Sequence, residues 1–280
     1  MKRLNLRCGE HEFHLGTRTF VMGILNVTPD SFSDGGYFLN TQSAIEHAQQ
    51  SISDGADVID IGGESTRPGA QSISILEEQE RIVPVVKELV RIGIRNISID
   101  TRNASTAQRC LDEGASWIND VSGLTHDVNM SKVCRQADAI VVIHKRGTPD
   151  TMQQVPIIYD DVVKEVHDWL SLQIRDLDLD KVIVDPGIGF GKRLPHNLEL
   201  IRHLDAFQNI GAAVLCGLSR KSFIRELLGI ENALERDLPT LAATMWSVSR
   251  GVDIVRVHDV KTTVAALKTV DALQYGDLRA

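Results

Sequence analysis

Three polar residues have the types and positions needed to recognise a flat, polar heterocycle. They are Asp100, Asn119 and Asp185, and each comes directly after a short run of mainly apolar residues. Carboxylate and amide side chains read the donor and acceptor edges of ring systems in pairs. A buried carboxylate is costly without a partner, so a ligand or a cation must satisfy these groups. A role as helix caps is the structural alternative for any one of them.

A second set of residues carries positive charge or donates hydrogen bonds. Arg67, Lys221, Arg256 and His258 suit a carboxylate or a phosphate, for which Arg offers a fork and Lys a point charge. Arg256 is the most informative because it lies inside the apolar run 253–257, where an unpaired guanidinium would be expensive.

The segment Asp185–Lys192 is rich in glycine and also contains Phe190. Its glycines allow the backbone to approach a ligand closely, and the aromatic ring offers a flat wall. The spacing fits neither a phosphate-binding P-loop nor a dinucleotide fingerprint. We therefore do not predict nucleotide binding.

Eight apolar runs alternate with helical stretches, and nearly every run leads into polar or glycine residues. Continuous apolar runs are typical of buried parallel strands, and eight of them predict a (β/α)8 TIM barrel whose active site lies at the C-terminal ends of the strands. The predicted strands are Phe20–Leu25, Val58–Ile61, Ile97–Ile99, Trp117–Ile118, Ala139–Ile143, Val182–Val184, Ala212–Leu215 and Asp253–Val257.

The connecting segments have the punctuation of α/β units. Apolar positions recur at threes and fours, and Gly55, Gly93, Gly114 and Gly251 are placed to end helices in the left-handed conformation. The predicted helices span 44–53, 76–91, 105–113, 159–174, 239–249 and 262–273. Two long connections, 27–40 and 62–74, are candidate binding loops or lids.

Length and composition set further bounds. The 280 residues suit a single domain over 1–280 with a barrel core at about 19–275. A net charge of −8 argues against nucleic-acid binding. The four cysteines show no metal or disulfide spacing, and no apolar run is long enough to span a membrane. We expect a cytoplasmic protein that acts on small molecules.

Several long segments together resemble one family. They are Met22–Gly36, Asp60–Gly69, Asp185–Lys192, Ser219–Ser222 and Arg256–Val260, and they are similar to the motifs of dihydropteroate synthases, in the same order. The resemblance covers about Thr19 to Thr262.

The resemblance implies an enzyme of folate biosynthesis, namely a transferase that moves an alkyl group other than methyl. It would move the 7,8-dihydropterin-6-ylmethyl group from its diphosphate to 4-aminobenzoate with Mg²⁺, and it would be a sulfonamide target. Asp100, Lys221, Arg256 and His258 would be catalytic. The implied pterin site consists of Asp100, Asn119, Asp185 and Lys221, and the implied diphosphate site consists of Asn26, Thr66, Arg67, Arg256 and His258. The implied 4-aminobenzoate site consists of Phe32, Thr66, Pro68, Phe190, Ser219 and Lys221. Asn26 and Asp34 would bind the metal.

The chemistry of the residues agrees with this reaction. Departure of diphosphate leaves a carbocation-like methylene, so cations must serve the leaving group while an anionic Asp100 faces the ring. An aromatic amine is already a nucleophile, which is consistent with the absence of a nucleophile–base triad. Positioning by closed loops would supply much of the remaining catalysis.

Two alternatives stay open at the level of the sequence. One is a pterin-binding methyltransferase domain that passes a methyl group from a tetrahydrofolate to a corrinoid. The other is a catalytically idle relative that only binds pterin. A homodimer is implied by the resemblance alone, with Leu241–Val248 as a candidate contact, and Lys145, where the family often has methionine, is expected to point to solvent.

Overall fold

Eight parallel strands form a closed barrel in the computed structural model of the chain. The structure describes residues 5–28, 36–65, 72–147 and 157–276, with the backbone alone for 36–40. A two-stranded hairpin, β1 (Asn5–Cys8) and β2 (His11–His14), precedes the barrel. The barrel strands are β3 (Phe20–Asn26), β4 (Val58–Gly62), β5 (Ile97–Asp100), β6 (Trp117–Asp120), β7 (Ala139–Ile143), β8 (Val182–Asp185), β9 (Ala213–Cys216) and β10 (Ile254–Val257), and β10 closes the barrel against β3.

Helices surround the barrel, and the predicted TIM barrel is confirmed. They are α1 (Gly36–Ser53), α2 (Ile75–Arg91), α3 (Ala104–Asp112), α4 (Met130–Cys134), α5 (Val162–Ile174), α6 (Leu194–Arg202), α7 (Ser222–Leu228), α8 (Asp237–Ser249) and α9 (Val260–Tyr275). None of these helices, in the part of the chain that the structure describes, is long and apolar enough to cross a membrane. The four glycines predicted to end helices all have positive φ, from +84° to +104°.

The sequence prediction differs from the structure in three respects. It missed the hairpin β1–β2, and it missed α4, α6 and α7, which have only five, nine and seven residues. Helices of five or seven residues give too few repeats for a periodic pattern to register. The nine-residue α6 was missed although α3, which has the same length, was predicted. The first connection was predicted to reach residue 40, but α1 already begins at Gly36.

The hairpin closes the N-terminal end of the barrel. Leu6, Cys8 and Phe13 are buried against the apolar side chains of the barrel interior. The Phe13 ring meets those of Phe20 and Trp117 edge to face, at centroid distances of 5.0 and 5.6 Å. Burial of three such side chains contributes on the order of several kcal/mol. One end of the barrel is therefore filled, which leaves the C-terminal end for ligands.

A buried glutamate braces the connection that follows β5. Glu78 of α2 accepts hydrogen bonds from Thr101 Oγ1, Asn103 Nδ2 and Thr106 Oγ1 at 2.7, 2.9 and 2.6 Å. These donors begin directly after Asp100. The bracing therefore fixes the end of the strand that carries this carboxylate.

Candidate active site

The polar side chains at the barrel mouth follow from the period of two along each strand. Apolar residues such as Val58, Trp117, Ile183 and Ile254 pack together inside the barrel. Because alternate residues share a face, the residue two positions later also points inward. That step leads to Asp60, Asn119, Asp185 and Arg256 respectively.

Arg256 connects two carboxylates across the mouth. Its Nε donates to Asp60 Oδ2 at 2.6 Å, and its Nη2 donates to Asp100 Oδ2 at 2.8 Å. Burial opposes the charge of the guanidinium, but the two carboxylates outweigh it and raise the pKa of Arg256. Burial raises the pKa of Asp100 to about 7, although Arg256 acts in the opposite direction. Asp100 is therefore poised to change its charge near neutral pH.

Asn119 is oriented by Asp60. Its Nδ2 donates to Asp60 Oδ2 at 2.8 Å, so its Oδ1 must face away from that carboxylate. This Oδ1 is buried and has no hydrogen-bond partner among the described residues. An unpaired buried acceptor is costly, so the mouth presents a fixed acceptor for a donor from a ligand or from water.

Asp185, at the end of β8, and Lys221, directly before α7, face the same space. Asp185 Oδ1 accepts from Gly187 N at 2.7 Å, and burial raises the pKa of the carboxyl group. Lys221 Nζ donates to Ile188 O at 2.5 Å and lies 4.6 Å from the centroid of the Phe190 ring. Burial lowers the pKa of Lys221, whereas Asp185 acts to raise it.

The remaining predicted contacts at the mouth lie near the end of β10 and the end of β3. Ser219 Oγ and His258 Nδ1 are 2.8 Å apart, and Ser219 Oγ also accepts from His258 N at 3.2 Å. Asn26 lies level with Gly62 in the strand register, and its side-chain amide makes no hydrogen bond with the described residues. The predicted residues Phe32, Asp34, Thr66, Arg67 and Pro68 lie outside the described residues.

The rim of the mouth carries further charges. Arg102 Nη2 donates to Glu64 Oε1 at 2.9 Å, and both side chains are largely buried. Lys145 is half-buried, and burial, aided by the charge of Arg102, lowers its pKa. The expectation that Lys145 points to solvent was therefore wrong. Its neighbour His144 contacts Trp169 on the outer side of the barrel, so alternation turns Lys145 toward the mouth.

Sequence reasoning missed Asp60, the residue that orders the mouth. It is fully buried and accepts hydrogen bonds from Ser98 Oγ, Asn119 Nδ2 and Arg256 Nε. A carboxylate inside the apolar run 58–61 was the available signal, because such a group must have partners. The predicted site residues were mostly those that follow the apolar runs, whereas Asp60 lies within a run.

The mouth thus combines a row of acceptors with a group of cations inside a barrel of buried parallel strands. A family model described as pterin binding enzyme matches residues 22–258. The chain therefore belongs to the pterin-binding enzymes.

Individual relatives narrow this class. The chain is 42% identical to a dihydropteroate synthase of Synechocystis over 274 residues, which is 96% of this chain and 94% of the relative. It is 46% identical to a dihydropteroate synthase of Neisseria meningitidis serogroup B over 264 residues, 90% of this chain and 92% of the relative. A solved dihydropteroate synthase of Xanthomonas albilineans, with 4-aminobenzoic acid, has a TM-score of 0.89 at 38% identity and covers 98% of this chain and 99% of its own. Within its class the chain falls among the dihydropteroate synthases of folate biosynthesis.

Proposed function

We propose that the barrel mouth transfers the 7,8-dihydropterin-6-ylmethyl group from its diphosphate ester to 4-aminobenzoate. The carbon–oxygen bond to diphosphate breaks, a carbon–nitrogen bond to the amine forms, and the amine loses a proton to solvent or to the departing diphosphate. The products are 7,8-dihydropteroate and diphosphate. The observation that carries the proposal is the buried, unpaired Asn119 Oδ1, which Asp60 holds in one orientation.

The acceptor side of the mouth would hold the pterin. Asp185 and Asn119 offer carboxylate and amide oxygens to the ring N–H groups, and Lys221 offers its ammonium to a ring acceptor. Asp100 would accept from the ring as an anion and stabilise the positive charge that develops as diphosphate departs.

The cationic side would hold the diphosphate. Arg256 uses Nε and Nη2 for carboxylates, which leaves Nη1 for an anion. His258, near Ser219, and Asn26 would complete the described part of this subsite, with Thr66 and Arg67 from outside the described residues.

The second substrate would enter beside the glycine-rich segment. Phe190 offers a ring face, Lys221 offers a charge for the carboxylate, and Ser219 offers a hydroxyl. Phe32, Thr66 and Pro68 complete the proposed subsite from outside the described residues. Catalysis then rests on the positions of the two substrates and on electrostatics, since aromatic amines need no activation by a base.

We further propose that Mg²⁺ accompanies the diphosphate, where it would neutralise charge on the leaving group. Within the described residues no cluster of three or more His, Cys, Asp or Glu side chains could hold a metal by itself. Asn26 Oδ1 fits a single ligand to an ion whose other ligands are phosphate oxygens and water, because its amide is uncommitted. Asp34 would assist from outside the described residues.

A homodimer is also proposed, through one face of α8 and the adjoining α7. Leu238, Ala242 and Trp246 are four residues apart and lie on one side of α8, where Leu238 and Trp246 are 76% and 47% exposed. Leu227 and Leu228 of α7 adjoin them in a groove with almost no polar lining. Such an exposed apolar patch favours contact with another protein. The resemblance to dihydropteroate synthases implies that this protein is a second copy of the same chain.

A cytoplasmic location is likewise a proposal. All four cysteines are buried and free, which suits a reducing compartment.

The test follows diphosphate release and dihydropteroate formation together, with and without 4-aminobenzoate and with Mg²⁺ added or chelated. Release coupled to product supports the proposal. Tight pterin binding without turnover would identify an idle relative, and binding of a methyltetrahydrofolate instead would identify a methyltransferase.

Variants locate the site within this assay. Asp185→Ala and Asn119→Ala remove acceptors from the pterin side and should weaken pterin binding at least roughly tenfold while the barrel stays folded. Asp176→Asn, on the surface after α5, is a matched control. Near-parental pterin affinity in both site variants would overturn the assignment.

A further inference from the structure

A buried lysine lies behind the mouth and takes no part in the chemistry above. Lys192 is only 8% exposed. Its Nζ lies 2.8 Å from His144 Nδ1 and donates to Gly187 O at 2.8 Å and to Phe190 O at 3.1 Å. A fourth, longer contact joins Nζ to His144 O at 3.4 Å. Burial lowers the pKa of Lys192 well below its usual value, although the charge of Asp185 acts to raise it. The amine keeps N–H donors for the backbone carbonyls in either protonation state.

His144 is suited to accept from Lys192. Burial, with the neighbouring charge of Lys192, lowers the pKa of His144 to about 2, so the ring is neutral at physiological pH. The edge of this ring packs against Trp169 at a centroid distance of 4.9 Å, which fixes its orientation. The acceptor is therefore anchored to the end of β7 and to α5.

The segment that Lys192 grips leads directly to the second-substrate subsite. Gly187 O and Phe190 O, which it binds, flank Ile188 O, which accepts from Lys221 Nζ at 2.5 Å. The Phe190 ring in turn lies 4.6 Å below that ammonium. One buried amine thus holds the backbone on which both groups depend.

The segment also has no room to adjust. Gly187 has φ +69°, and a Cβ there would lie 1.8 Å from His144 O. Gly191 has φ +63°, and a Cβ there would lie 2.2 Å from Arg146 O. The segments after β7 and after β8 thus touch through their backbones. If the Lys192 contacts between them were lost, we expect the position of Phe190 to shift, because the close packing leaves no space for a local adjustment.

We propose that Lys192 is a positioning residue for the second substrate: its amine joins the end of β7 to the segment after β8 and so fixes the Phe190 ring and the Lys221 side chain that face 4-aminobenzoate. The inference rests on the proposed function, which places 4-aminobenzoate beside these two groups. Lys192 itself does not touch either substrate.

The test compares Lys192→Met with the parent enzyme in steady-state kinetics and in pterin binding. Methionine keeps the apolar stem but leaves the carbonyls and His144 without a donor. We expect the KM for 4-aminobenzoate to rise roughly tenfold or more, while the Kd for the dihydropterin diphosphate changes less than about threefold. Lys181→Met is the matched control, since Lys181 donates to Ala137 O at the opposite end of β8 and should lose stability alone.

A double-mutant cycle separates positioning from a merely structural role. If Lys192 acts through Phe190, then Lys192→Met adds little to the KM already raised by Phe190→Ala, whereas independent effects would multiply. Multiplying effects, or an unchanged KM in folded Lys192→Met, would overturn the inference. An unchanged KM in Phe190→Ala would instead overturn the proposed second-substrate subsite, which keeps the two failures distinct.

His144→Phe provides a second route if Lys192→Met does not fold. The phenyl ring can keep the contact with Trp169 but removes the acceptor of Lys192. The same selective rise in the KM for 4-aminobenzoate is expected, with a smaller amplitude because the backbone carbonyls still accept from the Lys192 amine. Equal weakening of both substrates would count against the inference.

Discussion

Asp60 shows how one side chain can order a whole site. It lies within β4, is fully buried, and holds donors from β5, β6 and β10 at once. The negative charge keeps Arg256 in place, and the geometry commits Asn119 to present its oxygen. Asp60 touches no substrate in the proposed arrangement, yet it determines the orientation of Asn119 and Arg256, which would bind the substrate.

Asp60→Asn is expected to lower kcat/KM roughly 100-fold, which corresponds to about 2.7 kcal/mol of transition-state stabilisation. The asparagine amide has one acceptor oxygen, whereas the donors around Asp60 now use both carboxylate oxygens. The amide also lacks the negative charge that neutralises the Arg256 guanidinium. Ser98→Ala, which removes one donor to the same carboxylate, is the control and should change kcat/KM less than about threefold. Parental kinetics in Asp60→Asn would show that the order at the mouth does not depend on this charge.

Asp100 is expected to give the enzyme a pH dependence near neutrality. Burial raises the pKa of its carboxyl group to about 7, so the anion that would accept from the pterin is lost as the pH falls through that value. We expect the Kd for the pterin substrate to rise as the pH falls from about 8 to about 6. Titration calorimetry across this range would measure it, and Asp100→Asn should flatten the profile. A flat profile in the parent enzyme would contradict the prediction.

At the scale of elements, the sequence was sufficient for the barrel strands and for most of the residues that end them. Buried parallel strands leave a continuous apolar signal, and Asp100, Asn119 and Asp185 stood at its visible boundaries. The hairpin was missed because its strands are partly exposed and contain no continuous apolar run, and its contribution comes from contacts with Phe20 and Trp117. Pairings such as Arg256 with Asp60 depend on distant segments, which no local pattern contains.

Asp253, directly before β10, is expected to lower the free energy of unfolding as the pH rises. Burial raises the pKa of Asp253 to about 6 from 3.8, and its Oδ2 accepts from Val214 N at 2.9 Å. Because the folded state disfavours the anion, the cost is absent below about pH 4, grows with pH, and is complete above about pH 6.

Asp253→Asn keeps an acceptor for Val214 N and removes that cost. We expect the variant to be more stable than the parent by about 1–3 kcal/mol at pH 8 and equally stable near pH 4, in urea unfolding at both values. Asp176→Asn on the exposed surface should show no such difference. A stability change independent of pH would point to packing rather than charge.

At the scale of the molecule, the two ends and the outer side of the barrel have separate tasks. The hairpin fills the N-terminal end, the charged mouth occupies the C-terminal end, and the apolar groove of α7 and α8 lies on the helical outer ring. This separation would allow two copies to meet without covering either mouth. The net charge of −8 is consistent with anionic substrates because Arg256 and Lys221 supply local positive charge at the mouth.

Leu238→Glu is expected to convert a dimer into monomers, since it places a charge on the exposed apolar face of α8. Sedimentation velocity over a range of protein concentrations would measure the change. Leu273→Glu, at an 84% exposed position on α9, is the control and should leave the assembly unaltered. A parent protein that is monomeric at tens of micromolar would contradict the proposed homodimer.

The bridge from Arg256 to Asp60 and Asp100 joins positions 196 and 156 residues apart in the chain. These contacts of very long range can form only when the last strand has joined the first. During synthesis on the ribosome, the chain can therefore acquire most of its strands and helices while the mouth remains unassembled. Pterin affinity would then appear abruptly, and would serve as a signal that the barrel has closed.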